Sequence, residues 1–362
     1  MSVANTGRSV ADITVDAGVL GIRAQTGGNI VSVSADGEIA PADNNPATVE
    51  VFGDIISLVA NDVGIGQTTG ALDVDATNTV VGNGLSVTTS ADPVSIRDPD
   101  NISVDAVNVG GSSFTLAAGT AGAGWIEDAD AGAGNDITAG TVDLDAAGAI
   151  GGFDTLELAG TTSLDADTSA VGNIDISNAA TGGVTVNSMT TVGGGGSITY
   201  VQTGNQTLAV TLIDALDPGA GADVTLTIDD GAVSIGSVHT DNGDIAVTAT
   251  GATASITIDG SAGGVVADAA GNTVTLTTGS TLNGADADAN AEVVGAAIVL
   301  LAVDGSIGVT NVLDVDATAS LDADTSTANG NILLDDVAGV MPLGHINAGT
   351  GDVTLNAEGG AV

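Results

Sequence analysis

The sequence predicts an all-β chain: a single-stranded parallel β-helix, or β-solenoid, with irregular coils of about 22 residues. Three observations predict it. The chain repeats itself at long, regular offsets. Its apolar residues alternate with polar ones over short stretches bounded by Gly, Asn and Asp. Aromatics are only 1% of its 362 residues, whereas glycine occurs 54 times.

The repeat is clearest between 148–169 (GAIGGFDTLELAGTTSLDADTS) and 305–326 (GSIGVTNVLDVDATASLDADTS), twelve identities in twenty-two positions at an offset of 157. After one inserted residue it continues through Gly172-Asn173-Ile174 and Gly330-Asn331-Ile332, so the long repeat joins 148–178 with 305–336. A partial copy at 65–77 shares LDVDAT with 313–318. Beneath it runs a shorter beat of Gly, a small polar residue, then Ile or Val. Its members begin at Gly28, Gly53, Gly172, Gly196, Gly243, Gly330 and Gly351. One period of about 22 residues accounts for both scales, within the range of solenoid repeats.

Within each beat the strand signal has period two. Ile245 and Val247, Ile256 and Ile258, Val274 and Leu276, and Val353 and Leu355 all alternate with small polar residues; so do Val224, Leu226 and Ile228. The stretch 285–303 (ADADANAEVVGAAIVLLAV) reads as a loop followed by a buried strand, with a helix as the alternative. A β-sandwich would also give short strands at turn-separated intervals, but it does not require the sequence to repeat. Stacked coils do, because each occupies the same environment. A thin aliphatic interior then accounts for the missing aromatics, which fill thicker cores. The reading is one continuous solenoid over 1–362, with no capping domain recognised.

Charge excludes several classes of function. There are 46 acidic residues against three arginines, Arg8, Arg23 and Arg97, and the net charge is −43. No basic patch exists to neutralise phosphates, so a nucleic-acid partner is excluded, and an anionic membrane surface is disfavoured. The longest apolar run, 293–303, falls short of the ~18 residues that suggest a membrane span. No signal-peptide pattern opens the chain, so the export route is not visible. The absence of cysteine means the fold needs no disulfides.

Paired aspartates are the main candidates for chemistry. LDVDAT carries Asp73 and Asp75, and again Asp314 and Asp316; SLDADTS carries Asp165 and Asp167, and again Asp322 and Asp324. Strand alternation turns Leu72 and Val74 inward and these carboxylates outward, where stacking makes them repel. A solvated acidic surface is the first expectation. Ca²⁺ sites at turns are the second, since carboxylates and backbone carbonyls suit that ion, although no calcium-loop signature is present and no cofactor is required. His239 and His345 have no second histidine at ligand spacing and read as surface or turn residues. No nucleophile elbow or phosphate loop appears. Sugar-cleaving β-helices also need platforms and bases that five aromatics and three arginines do not supply. The expectation is a chain that is not an enzyme.

Several phrases, LVANDVGIG…LDVDAT, GAIG…LELAGTTSLDADTSAVGNIDISN and GGSITYV, resemble the repeat regions of filamentous-haemagglutinin-type exoproteins. Those are bacterial two-partner-secreted or autotransported adhesins with a right-handed parallel β-helix. The resemblance covers most of 10–360 and is one of repeat style. It implies a structural, extracellular or cell-surface role as an adhesin stalk, spacer or repeat segment. The lack of lysine and of a recognisable secretion domain departs from that family. Neither end reads as a cap. The expected partners are therefore neighbouring coils of a longer chain, or other copies stacking head to tail as a homopolymer. A host or surface ligand is not legible.

Overall fold

The computed structural model describes residues 30–357 apart from 42–48, 68–69, 77–83, 121, 123, 131, 133, 193, 217–220 and 287–289, together with the backbone of Ser2–Ala4, Leu20–Gly21 and Arg23–Gln25. Gly28 and the side chains of Arg8 and Arg23 therefore lie outside the described residues.

The described chain is all-β, with parallel strands stacked into a β-solenoid of about 12 turns at about 24-residue spacing. One short 3-10 turn, Gly260–Ala262, is the only helical element among the described residues. The chain divides into two compact units, Met1–Ala179 and Ala180–Val362.

In the first unit, Ile30–Ala35 pairs with Ile55–Ala60, and that with Leu85–Thr89. A second column runs from Val94–Asp98 through Ser113–Ala118 and Thr141–Ala146 to Ser163–Thr168. In the second unit some turns carry three short strands, while Val293–Ala302 and Leu313–Asp324 are longer and span two ladders. Val224–Ile228, Val233–Ile235 and Ser237–Thr240 form one such turn, and Ile245–Ala249, Ile256–Ile258 and Gly264–Ala267 lie on it in register. Period-two alternation places Val224, Leu226 and Ile228 fully inside and leaves the threonines between them half-buried. Each fully buried aliphatic side chain contributes roughly 1.5–3 kcal/mol. The interior holds only two aromatics among the described residues, Phe114 and Tyr200. Within the stretch 285–303, the strand Val293–Ala302 forms as expected and not a helix, and 287–289 lie outside the described residues.

The turn is longer than the 22 residues expected from sequence. Val94 pairs with Phe114 and Val142 with Leu164, but Phe114 pairs with Val142 and Ile245 with Val274. In the long turn that starts at Ile245, extra residues lie at 259–263, between Ile256–Ile258 and Gly264–Ala267, where the preceding turn has only Gly236. Such a corner lies outside the ladders, and its length is tolerated.

Two sets of glycines explain the sequence motifs. In the IG step of all three copies, Ile65, Ile150 and Ile307 form parallel bridges to both neighbouring turns. The glycines that follow have φ of +66°, +65° and +71°, a region open to glycine at little cost. A methyl group on Gly66, Gly151 or Gly308 would overlap the carbonyl of Ser95, Asp175 or Leu333 on the adjacent turn. The Gly-polar-Ile beat has a different cause. Gly305, Gly330 and Gly351 stack at one corner, and a side chain on Gly330 would overlap the Gly305 carbonyl, as one on Gly351 would overlap that of Gly330.

Candidate functional site

The acidic side chains occupy two main environments. In the first, a buried acid bonds to a backbone amide of the adjacent turn. Glu38 accepts from Gln67 N–H (2.8 Å), Glu50 from Asp73 (3.0 Å) and Asp98 from Ala76 (3.1 Å). Likewise Glu127 accepts from Phe153 (2.9 Å), Asp136 from Glu157 (2.7 Å) and Glu292 from Asp314 (2.5 Å). None of these six side chains is more than 5% exposed. Burial pushes the Asp98 carboxyl up to about 7, against the opposing bonds from Ala76 and Asp100 N–H, and Asp75 and Asp100 raise it further. Burial also raises Glu127.

Asp128, Asp136 and Glu157 present oxygens within 4.8 Å of one another. Burial raises Asp136, and its side-chain interaction with Glu157 raises it further while lowering Glu157 against the rise from burial.

The second environment is stacked and solvated. Asp143 lies opposite Asp165, and Asp145 opposite Asp167, in a two-by-two grid on adjoining strands. Burial raises both Asp143 and Asp145, and the surrounding carboxylates raise them further. Asp145 and Asp167 also line a shallow cavity of about 400 Å³ closed by Ala117, Gly119 and Thr168.

The eight aspartates singled out in the sequence are thus not equivalent. Asp165 and Asp167 join the grid. Asp73 is not solvated: it is 1% exposed and ion-paired with Arg97, whose Nη2 donates to Oδ2 (2.9 Å) while Nε lies 2.9 Å from Oδ1. Arg97 lies opposite it on the next turn, so a charge-assisted bond meets the buried carboxylate there. Asp75 is half-buried, and burial raises its carboxyl. Asp314 is 7% exposed, with its amide on Glu292. Asp316 lies opposite Val294. Asp322 accepts the His345 amide, and Asp324 the Ser326 amide (2.7 Å); the Ser326 side chain first and its amide second lower the Asp324 carboxyl.

Two clusters were not legible in the sequence. Trp125 and Phe153 sit one turn apart and meet edge to face, ring centroids 5.9 Å apart. With Val171, Ala149 and Glu127 they line an open cleft of about 550 Å³, and Phe153 is 83% exposed. The 28 positions that separate them amount to about one turn.

The second cluster surrounds His239. Rather than a bare surface residue, it is a half-buried strand residue. Its Nδ1 lies 2.7 Å from Asp214 on the preceding turn, and its Nε2 lies 3.1 Å from Asp268 on the following turn and 3.7 Å from Asp241. The Asp214 bond, opposed by desolvation and aided by Asp268, raises the imidazole to about 9. Scanning one turn to either side of the histidine for acids would have found it.

No family model matches this sequence, and neither a curated protein nor a solved structure matches it. Among the described residues no helix is long and apolar enough to cross a membrane.

Proposed function

We propose that the chain is a structural, non-enzymatic solenoid segment that acts as a stalk or spacer on the outside of a bacterial-type cell. The observation that carries this reading is the use made of the buried acids: Glu38, Glu50, Asp98, Glu127, Asp136 and Glu292 each bond to the backbone of an adjacent turn. Their chemistry is directed at stacking. The remaining carboxylates keep the outer faces mutually repulsive, which opposes lateral association of exposed sheet. The extracellular placement rests on the resemblance of the repeat phrases to adhesin exoproteins. Head-to-tail stacking of copies is the competing reading.

A spacer needs turns that are interchangeable. Excising residues 224–244 removes one three-strand turn and lets Ile245–Ala249 meet Ile198–Thr203, which share Val224–Ile228 as a neighbour. The expected product folds cooperatively, whereas excision of half that length does not. Surface placement is tested by protease treatment and antibody labelling of intact source cells. Labelling only after lysis overturns it, and concentration-dependent growth in particle mass favours head-to-tail assembly.

A further inference from the structure

The His239 cluster has the parts of a metal site. A metal-binding imidazole is commonly held by a carboxylate on its other ring nitrogen, which fixes the tautomer and leaves the ligating lone pair free. Asp214 is placed to do this, at 2.7 Å from Nδ1 and directly opposite His239 in the ladder. On the other side of the ring, Nε2 and one oxygen each from Asp241 and Asp268 lie within 4.8 Å of one another. Three ligand atoms at that spacing can converge on an ion at ordinary bond lengths of about 2.0–2.2 Å after small rotations.

We propose that His239, Asp241 and Asp268 bind a divalent transition-metal ion through one imidazole nitrogen and two carboxylate oxygens, with Asp214 as the positioning residue. The donor set decides the class of ion. One nitrogen with two carboxylates suits Zn²⁺, Mn²⁺ or a related ion, whereas Ca²⁺ takes oxygen ligands almost alone. Asp241 is half-buried and Asp268 exposed, so an ion can enter from solvent and keep water in its remaining positions. Local structure favours the arrangement. The Asp268 amide donates to Thr240 O (3.0 Å), which pins the strand ends carrying the two carboxylates. Bound there, an ion would join adjacent turns by side-chain ligation as well as by the ladder.

The test uses the full chain stripped of metal and titrated with Zn²⁺ over millimolar Ca²⁺, which occupies carboxylate-only sites. The expected result is one saturable Zn²⁺ equivalent, abolished in His239→Gln and kept in His345→Gln. Asp214→Asn should weaken it by about ten- to a hundredfold. Equal Zn²⁺ binding by the parent and His239→Gln, or no saturable binding, overturns the proposal and leaves an imidazolium held by carboxylates. If His239→Gln fails to fold, Co²⁺ is added to the parent protein and the two histidine rings are followed by NMR. Selective paramagnetic broadening of the His239 ring supports the site; an unperturbed His239 ring overturns it.

Discussion

Replacing Asp145 with Asn should stabilise the first unit, and the geometry sets the size of the effect. Asp145 faces Asp167 across adjacent parallel strands, with Asp143 and Asp165 forming the other half of the grid. Strands in register lie about 4.8 Å apart, so two facing carboxylates repel by about 1 kcal/mol in water. Solvent on the open side of Asp145 keeps the value near that lower limit, and the more distant Asp165 adds a fraction of it. Removing the charge should therefore stabilise by about 1 kcal/mol, which for a unit of this size raises Tm by roughly 2–4 °C. The assay is thermal and urea unfolding of the parent, Asp145→Asn, Asp167→Asn and the double variant, in low salt and again at about 1 M NaCl. The double-mutant cycle should give a coupling near 1 kcal/mol in low salt. At high salt, where screening acts over about 3 Å, most of it should vanish. A fall in Tm for Asp145→Asn, or a coupling indifferent to salt, would refute the electrostatic account of the outer face.

Arg97→Met leaves Asp73 buried without its partner and should cost about 3–5 kcal/mol, read as a large drop in the urea midpoint; Arg97→Lys should restore only part of it, and a near-neutral Arg97→Met contradicts the pairing. The pH dependence should run opposite to that of proteins with ion-paired acids. Asp98 titrates near 7 in the fold against about 4 in the unfolded chain, so its contribution is full below pH 4, declines as pH rises to about 7, and is level above. The decline is at most about 4 kcal/mol. Half-buried Asp259 and Asp324, whose carboxyls are lowered, oppose this weakly. Urea midpoints that climb from pH 5 to 8 contradict the assignment. Gly151→Ala and Gly308→Ala each combine a positive φ with overlap on the next turn. Both should lower Tm by several degrees, while alanine at Gly134, where a methyl meets no atom within 4 Å, should change little.

What the sequence revealed and what it hid divide along one physical line. Alternation is local, so the inward set around Val224, Leu226 and Ile228 was readable from five residues. The IG step and the glycine beat were readable as repetition. The cause, a carbonyl of the neighbouring turn against each glycine, belongs to the stack. Contacts between turns depend on the count of residues in each corner. Because Phe114 meets Val142 while Val142 meets Leu164, no fixed offset finds them. For that reason Asp73 read as a solvated acid although Arg97 covers it, and no spacing in the sequence joins Trp125 to Phe153. His239 looked isolated for the same reason, with acids 25 positions before and 29 after in contact with it. The Glu and Asp residues that bond to the next turn were likewise indistinguishable from surface acids.

The absence of cysteine from the chain allows the stacking to be tested directly with engineered pairs. Thr225 faces Ala246 in the second unit, and Ser57 faces Ser86 in the first. Neighbouring strands lie at about 4.8 Å, inside the 4.4–6.8 Å Cα range for a disulfide. Thr225→Cys with Ala246→Cys, and Ser57→Cys with Ser86→Cys, should each oxidise nearly completely without loss of stability. Thr225→Cys with Thr248→Cys, two residues out of register, should remain reduced. Complete bonding of the registered pairs alone is the predicted result; no bonding in them, or equal bonding in the offset pair, would contradict the parallel stack on which the account rests.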